Sequence, residues 1–103
     1  MSRLESIIQL LKQNPDDVFL HYAEAMEYIS IADSNEAINK LEFIRLNYPN
    51  YLPLYYQLAK QYETANKIED AVAIYELGIE LAVQNKEKKT ELELRSALEE
   101  LTF

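Results

Sequence analysis

The sequence predicts an all-α fold built from repeated helix pairs. Its 103 residues include one Gly and three Pro, and so few chain breakers disfavour the many tight turns of an all-β fold. Pro15 and Pro49 are 34 residues apart, and small, aromatic and apolar residues recur at the same offset. A period of this length is typical of helical repeats in which each unit is a helix–turn–helix pair.

The positions related by this offset agree in residue type as well as in spacing. The matched pairs are Leu20 and Leu54, Tyr22 and Tyr56, Ala25 and Ala59, Tyr28 and Tyr62, and Ala37 and Ala71. Small side chains are needed where two helices cross closely, because larger ones push the helix axes apart. We therefore expect the four alanines to lie at helix crossings, and Tyr28, Tyr62 and Tyr75 to fill the space between neighbouring helices.

The first predicted helix, residues 2–14, begins with Ser2-x-x-Glu5, which is the pattern of a capping box. One apolar stripe follows along it, made of Leu4, Ile7, Ile8 and Leu11. In the 34-residue register this helix is the second half of a repeat. We expect it to cap the array.

Two helix pairs come next. Their predicted ranges are 17–32 with 34–48, and 53–65 with 68–84. Asp33-x-x-Glu36 is a second capping signal, and Pro53 is acceptable in a first helical turn. Pro49 disfavours a helical conformation for the residue before it, so it ends the first pair.

The last predicted helix covers residues 87–101. Its Leu94, Ala97, Leu98 and Leu101 form a stripe at helical spacing. Val83 stands where the first repeat has its terminal Pro49, so the helix before it is free to continue. We expect the last helix to cover the open end of the second repeat.

The second repeat, residues 52–85, resembles the tetratricopeptide-repeat (TPR) family. Tyr55-x-x-Leu58-Ala59-x-x-Tyr62 stands where the family has Trp-x-x-Leu-Gly-x-x-Tyr, and Ala71-x-x-x-Tyr75 where it has Ala-x-x-x-Phe. The first repeat, residues 18–51, keeps four of the repeat positions: Ala25, Tyr28, Ala37 and Pro49. The resemblance implies one TPR domain over residues 1–103, a right-handed solenoid of antiparallel helix pairs with about six helices.

In TPR proteins the first helix of each repeat lines a concave groove that accepts other polypeptides. The resemblance assigns this groove to Phe19, Tyr22, Met26 and Ile29 in the first repeat, and to Tyr56, Lys60 and Glu63 in the second. The first set follows one helical stripe, distinct from the face that carries Ala25. A helix with two apolar faces either buries both or exposes one for a purpose.

Three occupants of the groove stay open. They are a segment of another protein, a second copy of this chain in a homodimer, and the chain's own C-terminal helix. We expect a non-catalytic interaction module or adaptor, with the self-associating unit as the alternative. Chaperone-binding TPR domains grip a C-terminal carboxylate with a Lys/Asn/Arg clamp, and the corresponding positions here, Tyr22, Met26, Tyr56 and Lys60, do not supply one.

Composition excludes or disfavours several other classes of function. The net charge of −8 disfavours a nucleic-acid partner. With no Cys and a single His, neither a metal site nor a cofactor is expected. No Gly-rich phosphate loop or nucleophile–base pair indicates an enzyme. No run of about 20 apolar residues indicates a membrane span, and the N-terminus lacks a signal peptide, so we expect a cytoplasmic protein.

Two residues of the first repeat have competing interpretations. Glu24 occupies a position where the family has an apolar Leu. It is either a buried carboxylate with a functional role, or it faces solvent or pairs with Lys40. His21 stands at an aromatic position of the repeat, where we expect it to pack between helices and not to bind a ligand.

Overall fold

The computed structural model describes residues 2–102, which form six α-helices and no strand. The helices are α1 (Arg3–Gln13), α2 (Val18–Ser30), α3 (Ser34–Asn47), α4 (Pro53–Thr64), α5 (Ile68–Gln84) and α6 (Lys88–Thr102). The predicted all-α class with about six helices is confirmed. No predicted helix end differs from the observed one by more than two residues. As expected from the loss of a terminal Pro, α5 continues to Gln84.

The contacts divide the chain into two compact units, Met1–Tyr51 and Leu52–Phe103. In the first unit α2 packs against both α1 and α3. In the second unit α5 packs against both α4 and α6. Each unit therefore has a central helix with a partner on either side.

The core of the first unit lies where α2 meets α3. Ala25 of α2 and Ala37 of α3 have no exposed surface, and neither have the larger Leu41 and Ile44. Small side chains on both helices allow their backbones to approach closely. The larger side chains of α3 then fill the remaining interior volume.

The second unit has a matching core between α4 and α5. Ala59 and Ala71 are fully buried, as are Leu58 and Tyr75. From α6, Leu94 is 1% exposed and Ala97 is 8% exposed. The sixth helix therefore buries two members of its apolar stripe within this unit, while Leu98 and Leu101 stay partly exposed.

Local capping contacts explain where several helices begin. Ser2 and Glu5 form the complete capping box that the sequence predicts. The carboxylate of Asp33 accepts a hydrogen bond from the backbone N–H of Glu36 at 3.1 Å, so Asp33 caps α3. Lys67 precedes α5 and makes no side-chain capping hydrogen bond.

Three helices end in the same backbone arrangement. Ala32, Asn66 and Lys86, which follow α2, α4 and α5, have φ values of 61°, 59° and 58°. After α2, the N–H of Asp33 donates to the carbonyl of Tyr28 at 2.9 Å. This is a Schellman motif, in which a left-handed residue reverses the chain and satisfies the last carbonyls of the helix.

Glu24 is both buried and paired in the structure. Its side chain is buried, with the residue 7% exposed, and its Oε1 lies 3.9 Å from the Nζ of Lys40. The expectation that Glu24 faces solvent is therefore wrong, while its pairing with Lys40 is confirmed. The position is interior because α2 packs against α3, and the pairing partly offsets the desolvation of the carboxylate.

His21 packs between helices as predicted. Its ring centroid lies 4.9 Å from that of Phe43 on α3. Its Nε2 lies 2.7 Å from the carbonyl oxygen of Pro15. The histidine therefore joins the start of α2 to the neighbouring helix.

Candidate functional site

The groove positions predicted in the first repeat lie on one face of α2. Phe19 is 66% exposed, and Tyr22, Met26 and Ile29 are each partly exposed. Spacings of three and four residues place these four side chains in a row along the helix. We call this row the α2 stripe. It is a partly open apolar surface on a helix whose other face is buried in the core of its unit.

Tyr22 of the α2 stripe is held by an aromatic contact. Its ring centroid lies 5.3 Å from that of Tyr51, with the ring planes inclined by 60°. Burial and the negative charge of Asp17 raise the pKa of the Tyr51 hydroxyl above its usual value. The pair therefore provides a fixed and uncharged aromatic contact beside the more exposed Phe19.

In the second unit the predicted groove residues lie on α4. Tyr56 is 37% exposed, and the Nζ of Lys60 lies 5.5 Å from the centroid of its ring. The same Nζ lies 3.6 Å from Oε2 of Glu63. Lys60 is thus held between an aromatic face and a carboxylate.

A buried tyrosine supports this arrangement from α5. The Tyr75 hydroxyl donates a hydrogen bond to Oε2 of Glu63, and the Tyr75 ring meets that of Tyr56 edge-on at 6.5 Å. Burial and, next, the hydrogen bond to Glu63 raise the pKa of Tyr75 above the usual range. The hydroxyl therefore stays protonated and keeps Glu63 in place beside Lys60.

The sequence assigned Tyr75 to the repeat packing and Glu63 to the groove without linking them. The two residues are 12 positions apart and belong to different helices. Their contact depends on how α4 crosses α5. No spacing rule within a single helix indicates it.

A cavity of about 450 Å³ opens between α4 and α6. It is lined by Tyr56 and Lys60 of α4 and by Leu92, Glu93, Ser96, Ala97 and Glu100 of α6. We call it the α4–α6 cavity. The C-terminal helix forms one wall of this cavity and leaves it open.

The residues that α6 contributes to this wall were missed by the sequence reasoning, which gave α6 only a capping role. A signal was present in the spacing. Glu93, Ser96, Ala97 and Glu100 follow one helical face at intervals of three, four and seven residues. This face lies beside the apolar stripe of the same helix. The prediction for α6 was based on that stripe alone.

A smaller depression of about 300 Å³ lies on the first unit. His21, Glu24, Asn39, Lys40 and Phe43 line it. Its lining includes the Glu24–Lys40 pair, in which the ammonium group lies beside a buried carboxylate. We therefore regard this depression as a consequence of core packing.

Metal binding and membrane insertion are the next two properties of the described residues. Within residues 2–102, no three or more His, Cys, Asp and Glu side chains form a group that could hold a metal ion. In the same part of the chain, no helix has the combined length and apolar character needed to cross a bilayer.

Comparison with known proteins gives matches at the level of structure. No family model matches the chain, and no curated protein matches it. A tetratricopeptide repeat domain protein from Salinibacter ruber, solved in solution, is 32% identical with a TM-score of 0.81, over 85% of this chain and 89% of that one. A crystal structure of a tetratricopeptide repeat domain protein from the same organism is 31% identical with a TM-score of 0.79, over 84% of this chain and 96% of that one.

A third structure shows a likeness of fold alone. It is the solution structure of a protein from Bordetella parapertussis, with a TM-score of 0.87 and 20% identity over 98% of this chain and 88% of that one. The likeness in fold and in sequence to the two Salinibacter structures extends over most of each chain. The chain therefore belongs to the tetratricopeptide-repeat family.

Proposed function

We propose that the chain is a non-catalytic protein–protein interaction module that binds polypeptide segments through the exposed faces of α2 and α4. The observation that carries the proposal is the exposure of Phe19, which is 66% exposed on a helix whose opposite face is buried. A large aromatic side chain so open to solvent gains free energy when a partner covers it. Family membership supports an interaction role in general.

The α2 stripe is suited to contact a polypeptide. Burying the open part of Phe19 stabilises a complex by about 1–2 kcal/mol, and the partly exposed Met26 adds an adaptable thioether contact. Tyr22 is already ordered by its contact with Tyr51, so little conformational entropy is lost there on binding. These features favour a few apolar anchors on the partner segment over an extended polar contact.

The experiment compares capture of polypeptides by three forms of the protein. Phe19→Ala combined with Tyr56→Ala removes one exposed aromatic ring from each face. Leu46→Ala is the matched control, because Leu46 is 74% exposed on α3 and lies outside both faces. Crosslinked partners are identified by mass spectrometry after capture with each form.

We expect some polypeptides to bind both the wild type and Leu46→Ala. The amount of these polypeptides recovered with the double variant should be lower by about tenfold or more. Equal recovery by all three forms would contradict the proposal. Equal loss from Leu46→Ala and from the double variant would also contradict it, because binding would then not depend on these faces.

A homodimer is the second candidate, and a specific observation favours it. Besides Phe19, Ile31 is 61% exposed and Leu46 is 74% exposed in the first unit, and exposed apolar side chains of this size often mark contacts between copies. Light scattering over a wide concentration range tests it. A dimer lost on Phe19→Ala assigns the contact to the α2 stripe, one lost on Leu46→Ala assigns it to α3, and a monomer throughout rules out the candidate.

The proposal includes the remaining predictions from the sequence. The chain is one domain in which α1 and α6 cover the two repeats, carries out no catalysis, binds neither nucleic acid nor membrane, and is located in the cytoplasm. The acidic net charge of −8 supports the exclusion of nucleic acid. Cell fractionation with a tagged chain checks the location.

A further inference from the structure

The α4–α6 cavity owes its shape to two small residues of α6. Ser96 and Ala97 lie between Glu93 and Glu100, and all four line the cavity. Seven residues of α-helix rise by about 10 Å, so the two carboxylates lie at opposite ends of a short depression. Tyr56 of α4 lines the same space. The result is a recess with an aromatic group on α4 and a carboxylate at each end of the α6 wall.

Three cations of this unit pair with carboxylates that do not line the cavity. Lys88 and Arg95 of α6 both pair with Glu91, at 3.5 Å and 2.8 Å. Lys60, which lines the cavity, pairs with Glu63 at 3.6 Å. Among residues 2–102, Glu93 and Glu100 have no ion-pair partner. The cavity lining thus carries two carboxylates and one ammonium group, so its formal charge is negative.

The charge of Glu100 acts on the interior of the same unit. It contributes, after burial and the influence of Glu63 and Tyr56, to the raised pKa of Tyr75. A carboxylate that disfavours a further negative charge at Tyr75 favours a positive one nearby. The electrostatics of the recess thus point to a cationic occupant.

We infer that the α4–α6 cavity binds a lysine or arginine side chain of the partner polypeptide, with its cation between Glu93 and Glu100. This inference rests on the proposed function and names the chemistry of its partner, a basic segment. The methylene groups of such a side chain pack on the Tyr56 ring and on Leu92, which is 54% exposed. The cavity of about 450 Å³ lies within the size range of ligand pockets.

Lys60 makes the sign of the partner's charge testable. Its Nζ already lies 5.5 Å from the Tyr56 ring centroid, so a cationic ligand meets like charge there. Removing the Lys60 charge therefore strengthens the binding of a basic segment and weakens the binding of an acidic one. The change in affinity on substitution of Lys60 therefore has opposite signs for a basic and for an acidic segment.

The experiment selects from a phage library of short random peptides. Three proteins are immobilised: the wild type and two double variants. One double variant combines Glu93→Gln with Glu100→Gln, and the other combines Glu76→Gln with Glu80→Gln. The last is the matched control, because Glu76 and Glu80 are exposed on α5, do not line the cavity and carry the same charge. Selected peptides are then synthesised, and their affinities are measured by fluorescence anisotropy at low and at physiological salt.

We expect the wild type and the Glu76/Glu80 control to enrich peptides rich in Lys and Arg, and the Glu93/Glu100 variant to lose this bias. For a selected peptide, the Glu93/Glu100 variant should bind about fivefold more weakly than the control. Lys60→Met should bind about twofold more tightly. Salt should weaken binding to the wild type more than to the Glu93/Glu100 variant.

The inference and the proposed function fail in different ways. Enrichment of acidic or uncharged peptides, or equal affinities in the two double variants, overturns the basic-segment inference and leaves an interaction module. The proposed function itself is contradicted if no peptide binds the wild type more tightly than it binds the double variant Phe19→Ala with Tyr56→Ala.

Discussion

Gly78 of α5 lies directly against Tyr55 of α4. A Cβ atom added to Gly78 would lie 2.7 Å from the Cβ of Tyr55 and 3.1 Å from Cδ1 of Leu94 on α6. Three helices of the second unit therefore meet at the one glycine of the chain. The missing side chain permits this close approach, although Gly is unfavourable within a helix.

Gly78→Ala is expected to destabilise the protein by about 1–3 kcal/mol, because overpacking outweighs the gain in helix propensity of about 1 kcal/mol. The Cβ of Tyr55 is fixed to its backbone and can move only with α4. Urea unfolding measures the change. Ala73→Gly, at an exposed position of α5, is the control for propensity alone. A variant Gly78→Ala as stable as the wild type would show that the two helices separate freely.

Lys67→Ser is expected to stabilise the protein by about 1 kcal/mol, because it adds a missing N-cap to α5. Lys67 makes no side-chain capping bond, whereas Asp33, 34 residues earlier, caps α3 through the N–H of Glu36. Thermal unfolding measures the effect, which corresponds to about 4–8 °C in Tm for a domain of this size. Asp33→Ala should lower Tm by a similar amount, and a Tm unchanged by Lys67→Ser would contradict this account.

Substitution of Lys40 and substitution of Glu24 are expected to have different effects on the stability of the protein. Lys40→Met leaves the buried carboxylate of Glu24 without its partner at 3.9 Å. This substitution should lower the free energy of unfolding by about 1–2 kcal/mol. The loss is smaller than for a fully buried ion pair, because Lys40 is partly solvated. Glu24→Leu replaces the carboxylate by an apolar group of similar volume. It should be neutral or stabilising.

The double variant Glu24→Leu with Lys40→Met completes this comparison. It should recover the stability lost in Lys40→Met, because no buried carboxylate then remains unpaired. Chemical unfolding of all four proteins measures the coupling between the two sites. Equal stabilities of Lys40→Met and the wild type would show that Glu24 does not need the ammonium group.

Tyr75 is expected to make the stability fall at alkaline pH. Its pKa in the folded protein is raised above the unfolded value of about 10, so above that pH the unfolded chain binds fewer protons than the folded one. The free energy of unfolding therefore decreases as the pH rises through and beyond about 10, and it is unaffected by Tyr75 below that range.

Tyr75→Phe isolates this contribution. Urea unfolding of both proteins across the alkaline range should show a shallower decline for the variant, while the remaining tyrosines and the lysines titrate in both. At neutral pH the variant should lose about 1 kcal/mol through the missing hydrogen bond to Glu63. Parallel declines in the two proteins would exclude Tyr75 as the source.

Much of the fold was predictable because the helix signals are local. The 34-residue offset relates alanines that prove to be fully buried, and Ser2 and Asp33 cap helices at the predicted starts. Glu24 was harder, because its burial depends on the packing of α3 against α2 and its own type favours solvent. The cavity-lining residues of α6 were missed for a similar reason, since a short stripe of Glu, Ser and Ala resembles an ordinary solvated helix face.

The sequence by itself determined the number, order and approximate ends of the helices, since these follow from periodicity, caps and breakers along the chain. It also determined the acidic net charge. Only the tertiary structure decided that Gly78 meets Tyr55, that Tyr75 holds Glu63, and that Glu93 and Glu100 share a recess with Tyr56. Such contacts join different helices, and they depend on the angle and offset at which two helices cross. A repeat period leaves both quantities unspecified.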